Sequence, residues 1–377
     1  MNAADVIVVG LGGLGAVVAH DLARSGARVV ALDRFVPGHA RGSSHGRTRV
    51  IRKAYFEHVS YVPLLERSYL RWTELDAEHP ETLLDLCGVL QVGPRDGVVV
   101  PGVLQAAATH GLPIEHLGAA ALRARYPEIA CIADHEEGVY EPSGGILAVE
   151  ACVRAWATQA ERLGAHLRTG VSVHGYSHER DRWRVVTDRG DVFAERLVLC
   201  PGAWASQLLP THLSGLLTVK RKSLFWFGAP AGLSRTARFP VWLFEEPDGV
   251  FYGFPSLDEH GFKVAEHSGG QDCAAPLALD RRVNADDRAR VSDLLSRRFA
   301  GVDTSAPRDH AACMYTLTPD EHPMLGAVEG FHHLYVGAGL SGHGFKMVPA
   351  LGEALAMQVV GERPAQDVNW LSPDRFR

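Results

Sequence analysis

Gly10, Gly12 and Gly15 stand in the order G-x-G-x-x-G, directly after the apolar run Val6-Ile7-Val8-Val9 and at the head of a helical pattern. Each glycine meets a different steric demand. The first permits a tight turn, the second lets the backbone approach a pyrophosphate, and the third lets helix and strand pack closely. Free N–H groups and the positive helix end then face the phosphates. Asp33, 23 residues after Gly10, ends a second apolar run, where an acid accepts hydrogen bonds from ribose hydroxyls. The pattern points to a dinucleotide without separating FAD from NAD. No second fingerprint of the kind frequent in flavin reductases fed by NAD(P)H follows. A flavin at this one site would draw electrons from an organic substrate and pass them to oxygen or another protein. NAD would require a hydride-transfer acid or base elsewhere in the chain.

Cations gather in two further stretches. Ser43-Ser44-His45-Gly46-Arg47-Thr48-Arg49-Val50-Ile51-Arg52 frames spaced arginines with Gly and Ser, as a loop wrapping an anionic ligand requires. A solvated loop is its plainer reading. Ser341-Gly342-His343-Gly344-Phe345-Lys346 puts a glycine-rich turn at a helix N-terminus, able to stabilise negative charge on a flavin pyrimidine ring or a carboxylate. It also reads as an ordinary turn into a helix. Lys263 lies in the strand pattern Phe262-Lys263-Val264-Ala265. Alternation turns most such lysines outward, and a buried one would be a fixed cation beside the chemistry. Cys313, before Met314-Tyr315-Thr316, reads by default as an inert buried thiol.

The elements that must hold these residues follow from periodicity. Residues 5–10, 13–25 and 28–33 form strand, helix and strand, a βαβ unit. Amphipathic spacing of Leu64, Leu65, Tyr69, Leu70 and Trp72 predicts a helix, and residues 88–93 and 137–142 read as strands. A helix over 150–163 precedes short strands over 165–200. Residues 215–315 are aromatic and strand-rich, interrupted by one helix over 284–299; a late strand then leads into an apolar helix over 347–360. The class is α/β, α+β overall: a Rossmann-like domain built from discontinuous segments, plus an inserted antiparallel β-rich domain. The expected boundaries are 1–85, 145–215 and 316–377 for the dinucleotide domain, and 86–144 and 216–315 for the substrate domain.

With 377 residues, the chain divides into about two domains of ordinary size. Hydrophobic residues at 46% and charged residues at 22% exclude global disorder. A net charge of -6 weighs against nucleic acid as a partner. None of the six cysteines forms a C-x-x-C pair, so no zinc ribbon or thioredoxin-like site is indicated, no metal is expected, and a reducing compartment suits them. No apolar run approaches the roughly 18 residues of a membrane span, and the N-terminal residues lack a basic leader. A cytoplasmic location is expected.

Taken together, the chain resembles the monomeric sarcosine oxidase and N-methyltryptophan oxidase family, within the D-amino-acid-oxidase-like flavoproteins, over essentially its whole length. The residues that carry this are Asp5–Gly15, Ser43–Arg52 with Ala54-Tyr55, Tyr61-Val62-Pro63-Leu64, Tyr252-Gly253-Phe254-Pro255, Cys313-Met314-Tyr315-Thr316 with Asp320-Glu321-His322, and Gly339–Lys346. The resemblance implies FAD joined through its 8α-methyl group to Cys313, within reach of Gly10, Gly12, Gly15, Asp33, Arg34, Ser43, Thr48, Arg49, Gly339, Gly342, Gly344, Phe345 and Lys346. Arg52 and Lys346 would anchor a substrate carboxylate; Tyr252, His267, Tyr315 and Gly342 would surround the substrate; Arg49 and His45 would line the flavin. Lys263 would promote the reaction of reduced flavin with oxygen. The implied reaction oxidises the C–N bond of a secondary amino acid, N-methyl or cyclic. Hydride goes to flavin N5, an imine leaves, and O2 becomes H2O2. The alternatives are a dehydrogenase of similar amines with a protein or quinone acceptor, and an amino-acid oxidase holding FAD without a covalent bond. The family also implies a monomer. Three departures are notable: Arg47 stands where sarcosine oxidases typically have Asp, Lys53 where histidine is usual, and Val241-Trp242-Leu243-Phe244 is bulkier. They favour a larger or cyclic amine over sarcosine.

Overall fold

The strand Ala4–Val9 is apolar on both faces because it lies inside a parallel sheet covered on both sides. In a computed structural model, which describes residues 4–377, it pairs in parallel with Val29–Asp33 on one side and Val192–Leu199 on the other. Met1–Ala3, part of the N-terminal stretch read above, lie outside the described residues. The parallel array continues through His166–Thr169 at one end and Leu334–Ala338 at the other. The hairpin Val173–Glu179/Arg182–Thr187 and the strand Met324–Ala327 complete this sheet with antiparallel pairs. Period-two alternation sends Val6 and Val8 into a core with the helices Gly13–Arg24, Val149–Arg162 and Val348–Val360, while Ile7 and Val9 enter a second core on the opposite face.

A nine-stranded sheet makes the other half of the molecule. It is antiparallel, as expected, apart from one pair, Val241–Glu246 alongside Val89–Pro94. One face carries Val89, Val241, Leu243, Tyr252 and Ala265; the other carries Leu90, Trp242, Phe244, Phe262 and Val264 against the helix Ala285–Arg298. Both faces are therefore covered, and Phe262–Ala265 is buried throughout. Lys263 accordingly points inward, against the ordinary outcome for a lysine in an alternating strand.

Two helices, Val99–His110 and Ala119–Arg125, lie between the strands expected at 88–93 and 137–142, where the sequence pattern assigned no element. The basic loop also contains a short strand, Thr48–Ile51, which pairs with Gly145–Ala148 in a three-stranded sheet completed by Leu84–Asp85. That small sheet fixes Arg49 and holds Arg52 just beyond its end.

Candidate active site

At the glycine turn, Gly10 has φ +101°, and a side chain there would strike the Cys200 carbonyl. A side chain at Gly15 would strike the Gly10 carbonyl, so Gly15 serves helix–strand packing and does not line a cavity. Gly12 has nothing within 4 Å of where its Cβ would be. Its open side faces a cavity of about 360 Å³. Asp33, Arg34, Ser43, Arg49, Tyr315, Gly339, Gly342, Gly344 and Phe345 line the same cavity. Asp33 accepts the Leu11 N–H at 2.6 Å and the Phe35 N–H at 2.7 Å, which orients the carboxylate while burial raises its pKa. Three glycines, an oriented acid and one cavity that joins the glycine turn to the Gly339–Phe345 turn fit an extended dinucleotide such as FAD.

A second cavity, of about 60 Å³, adjoins the first and shares Arg49, Tyr315, Gly342 and Phe345 with it. Arg52, Glu57, His267, Tyr252 and Lys346 supply its polar groups, and Val50, Phe56, Val89, Val241 and Leu243 its apolar wall. Trp242 also borders this cavity, but its ring stacks on Phe262 at 5.5 Å in the core of the opposite face, where Phe244 packs as well.

Arg52 meets this cavity already engaged. One nitrogen contacts both Glu57 oxygens at 3.0 and 2.9 Å, and another donates to the Ala54 carbonyl at 3.0 Å. Burial pushes the Glu57 pKa upward, but Arg52, with His343, Lys346 and His267 near it, brings the carboxyl down to about 2. Lys346 Nζ donates to the His343 carbonyl at 2.8 Å and to the Tyr55 hydroxyl at 3.1 Å. Burial, then the charge of Arg52, lowers its pKa to about 7. Burial also takes His267 to about 3 and raises Tyr252 and Tyr315, so all three are neutral near pH 7.

Lys263, Thr48, His45 and Cys313 lie beside these cavities without lining them. Lys263 Nζ contacts the Gly46 carbonyl at 2.6 Å, the Thr48 carbonyl at 3.1 Å and Thr48 Oγ1 at 2.8 Å. Burial and Arg49 push its pKa down, yet two carbonyls and a hydroxyl oxygen around one nitrogen match the three donors of an ammonium. His45 is buried with a pKa near 4, and its Nε2 has no partner among the described residues. The Cys313 thiol donates to the Ser43 carbonyl at 3.3 Å, with Arg49 Nη2 3.5 Å from its sulfur. Its neighbours Met314 and Tyr315 both line the larger cavity.

Several residues that build the site were not read from the sequence. Glu57 could have been suspected, since it follows Arg52 by five positions with opposite charge. Glu150, which accepts the Gly46 and Arg47 N–H groups at 2.7 and 3.1 Å, acts from a hundred residues away and leaves no local signal. Glu141 holds the Lys53 and Ala54 N–H groups in the same manner. The reversed charge at Arg47 is balanced away from both cavities by Asp309 at 2.9 Å. Lys53 sits over the Tyr69 ring at 4.7 Å.

Comparison with known proteins places this geometry in context. The family described as FAD dependent oxidoreductase matches residues 5–358. Monomeric sarcosine oxidase of Streptomyces avermitilis is 38% identical, across 99% of this chain and 97% of its own. N-methyl-L-tryptophan oxidase of Salmonella typhimurium is 33% identical, across 99% of both. Among solved structures, NikD, described as an unusual amino acid oxidase essential for nikkomycin biosynthesis, superposes with a TM-score of 0.84 at 24% identity, covering 99% of this chain and 98% of that one. L-proline dehydrogenase from P. horikoshii gives 0.81 at 22% identity with the same coverage, and both likenesses speak to fold alone.

Proposed function

The chain belongs to the FAD dependent oxidoreductase family, and from that premise we propose that it oxidises a secondary amino acid at its C–N bond with O2 as electron acceptor. The observation that carries this reading is the convergence of Arg52 and Lys346 on a small cavity joined to the dinucleotide cleft. FAD, when bound, supplies the two-electron acceptor for the C–N bond and returns those electrons to O2.

The chain's own residues bind and orient. A carboxylate in a partly dry cavity needs paired cations, and Arg52 with Lys346 provides a guanidinium fork and a point charge. To use the fork, the substrate carboxylate displaces Glu57. Arg49, Arg52 and Lys346 outnumber the one carboxylate, Glu57, at that end, so an incoming amine is favoured in its neutral form, which has the nitrogen lone pair that C–N oxidation requires. His267, Tyr252 and Tyr315, all neutral, can hydrogen-bond that nitrogen without adding charge. Val50, Phe56, Val89, Val241 and Leu243 suit an N-alkyl group or an aliphatic ring and exclude water. Lys263 is a fixed cation beside the 46–49 loop, placed to favour negative charge developing on oxygen. Cys313, between the Ser43 carbonyl and Arg49, is the residue to which the flavin would be bonded. The reading takes the protein as a cytoplasmic monomer, in keeping with the word monomeric in the Streptomyces relative's name.

The test is a panel of N-methyl and cyclic secondary amino acids given to flavin-loaded protein. Anaerobic bleaching, and peroxide formed in step with amine consumption in air, are expected. Turnover only with an added dye would overturn O2 as acceptor; no bleaching by any member would overturn the amine reading. Acid precipitation separates the remaining point. A yellow pellet whose colour maps to the Cys313 peptide is expected, and a yellow supernatant would remove the covalent bond.

A further inference from the structure

Resting on Lys346 as an anchor of the substrate carboxylate, we propose that Tyr55 and His343 are positioning residues that hold it with one N–H free for the cavity. The argument is a count of donors and acceptors. His343 Nε2 lies 2.9 Å from the Glu321 carbonyl, which can only accept, so Nε2 carries the ring proton. Nδ1 of the neutral ring is then an acceptor, and its neighbour at 2.8 Å is the Tyr55 hydroxyl, which must donate. With its proton committed to His343, the Tyr55 oxygen accepts from Lys346 Nζ at 3.1 Å. The His343 carbonyl takes a second Lys346 N–H at 2.8 Å. An ammonium has three, and the third is left for the cavity that Lys346 lines.

Burial keeps every member in the required state. His343 is neutral, its pKa lowered to about 4 by desolvation, and the Tyr55 phenol is held well above its ordinary value. The Tyr55 ring is fixed by Arg52 above it at 4.3 Å and by Tyr61 at 5.2 Å, so one side chain touches both anchoring cations. The groups facing Lys346 are Arg52 and Arg49, which oppose its charge, Glu57, which favours it, and the neutral Tyr55 and His343. The Tyr55 oxygen therefore weighs on whether Lys346 keeps its proton near pH 7.

Acetate is the probe, titrated into the flavin-loaded protein from pH 5.5 to 9 with acetamide as the uncharged control. In the wild type, acetate affinity should fall as the pH rises through the Lys346 pKa, near 7. Tyr55→Phe keeps the ring but removes an acceptor from the ammonium, so the fall should move down by roughly one pH unit, with affinity near pH 7 about fivefold weaker. His343→Leu should move it in the same direction, because Tyr55 loses the group that orients its proton. His343→Asn, whose amide oxygen can occupy the place of Nδ1, should restore the wild-type profile. A uniform loss of affinity at all pH values in Tyr55→Phe, or an unchanged profile, overturns the proposal. If Tyr55→Phe fails to fold, the contrast between His343→Asn and His343→Leu decides, and equal profiles for those two overturn the proposal; if a His343 variant fails to fold, the Tyr55→Phe profile decides. Lys346→Met separates the two readings. It should weaken acetate and abolish the pH dependence; if it does neither, Lys346 is not the anchor and the parent reading fails instead.

Discussion

At the residue scale, the site is a set of charges arranged to receive one more. On the proposed reading Glu57 stands where the substrate carboxylate goes, bound to Arg52 at 2.9 Å and ionised down to a pH near 2. On that reading it competes with substrate throughout the working range. Glu57→Gln should raise the affinity for a carboxylate inhibitor several-fold at pH 6, where Lys346 still carries its proton. Unchanged or weaker binding would show that Glu57 is no competitor. Arg52→Gln should cost about 2–4 kcal/mol of inhibitor binding, since a buried charge loses its partner. Inhibitor affinity equal to wild type would remove Arg52 from the anchor. Much of this was legible in residue types and in family resemblance, because arginines, tyrosines and glycines in short motifs are local facts. Glu150 and Glu141 were not, because each acts on a loop about a hundred positions away. Lys263 misled for another reason: alternation assumes a sheet with one wet face, and this sheet has none at that strand.

At the element scale, the βαβ unit was readable because its strand, its turn and its helix each obey one period. The helix Val99–His110 was not. It opens with Val99-Val100-Pro101-Gly102, a stretch that reads as strand and turn, and its leading N–H groups are accepted by Glu245 from another strand. A cap supplied across the fold leaves no trace in the local sequence. The glycine turn, where sequence and structure agree, allows a clean separation of packing from binding. Gly15→Ala drives a methyl group into the Gly10 carbonyl and should destabilise the protein by several kcal/mol or prevent folding. Gly12→Ala meets no atom of the protein within 4 Å and has an ordinary φ of -71°, so its melting temperature without flavin should stay close to wild type. Its methyl group instead occupies the side on which a pyrophosphate approaches, and flavin content should collapse. Thermal melts and flavin-to-protein ratios of the two variants test this; a Gly12→Ala protein with full flavin would mean that the cofactor does not approach the turn there.

At the scale of the molecule, the two sheets meet along a seam that holds the candidate site, and histidines held neutral lie along it. His45 belongs to the loop beyond Val29–Asp33, His267 follows the strand Phe262–Glu266, and His343 lies in the turn after Leu334–Ala338. Burial takes their pKa values to about 4, 3 and 4. In the unfolded chain each titrates near 6.5, so between 6.5 and 4 the unfolded state binds protons that the folded state refuses. Stability therefore rises with pH across that window and is lost on acidification. Each histidine withdraws about 3 kcal/mol by pH 4, and three together are comparable to the whole 5–15 kcal/mol margin of a folded protein. Below about pH 4.5 the carboxylates whose pKa the fold lowers add to the loss with the same sign. Glu57, with a folded pKa near 2, holds fewer protons than its unfolded counterpart there. Acid unfolding should accordingly begin near pH 6.5, well above the range where carboxylates alone would start it, and steepen below 4.5. The measurement is the melting temperature from pH 8 to 4, with flavin fluorescence followed in parallel to report opening of the seam. A melting temperature that stays flat to pH 5 would mean that these histidines take up protons in the folded state, and the seam would then not be the dry, cation-rich place that carboxylate binding requires.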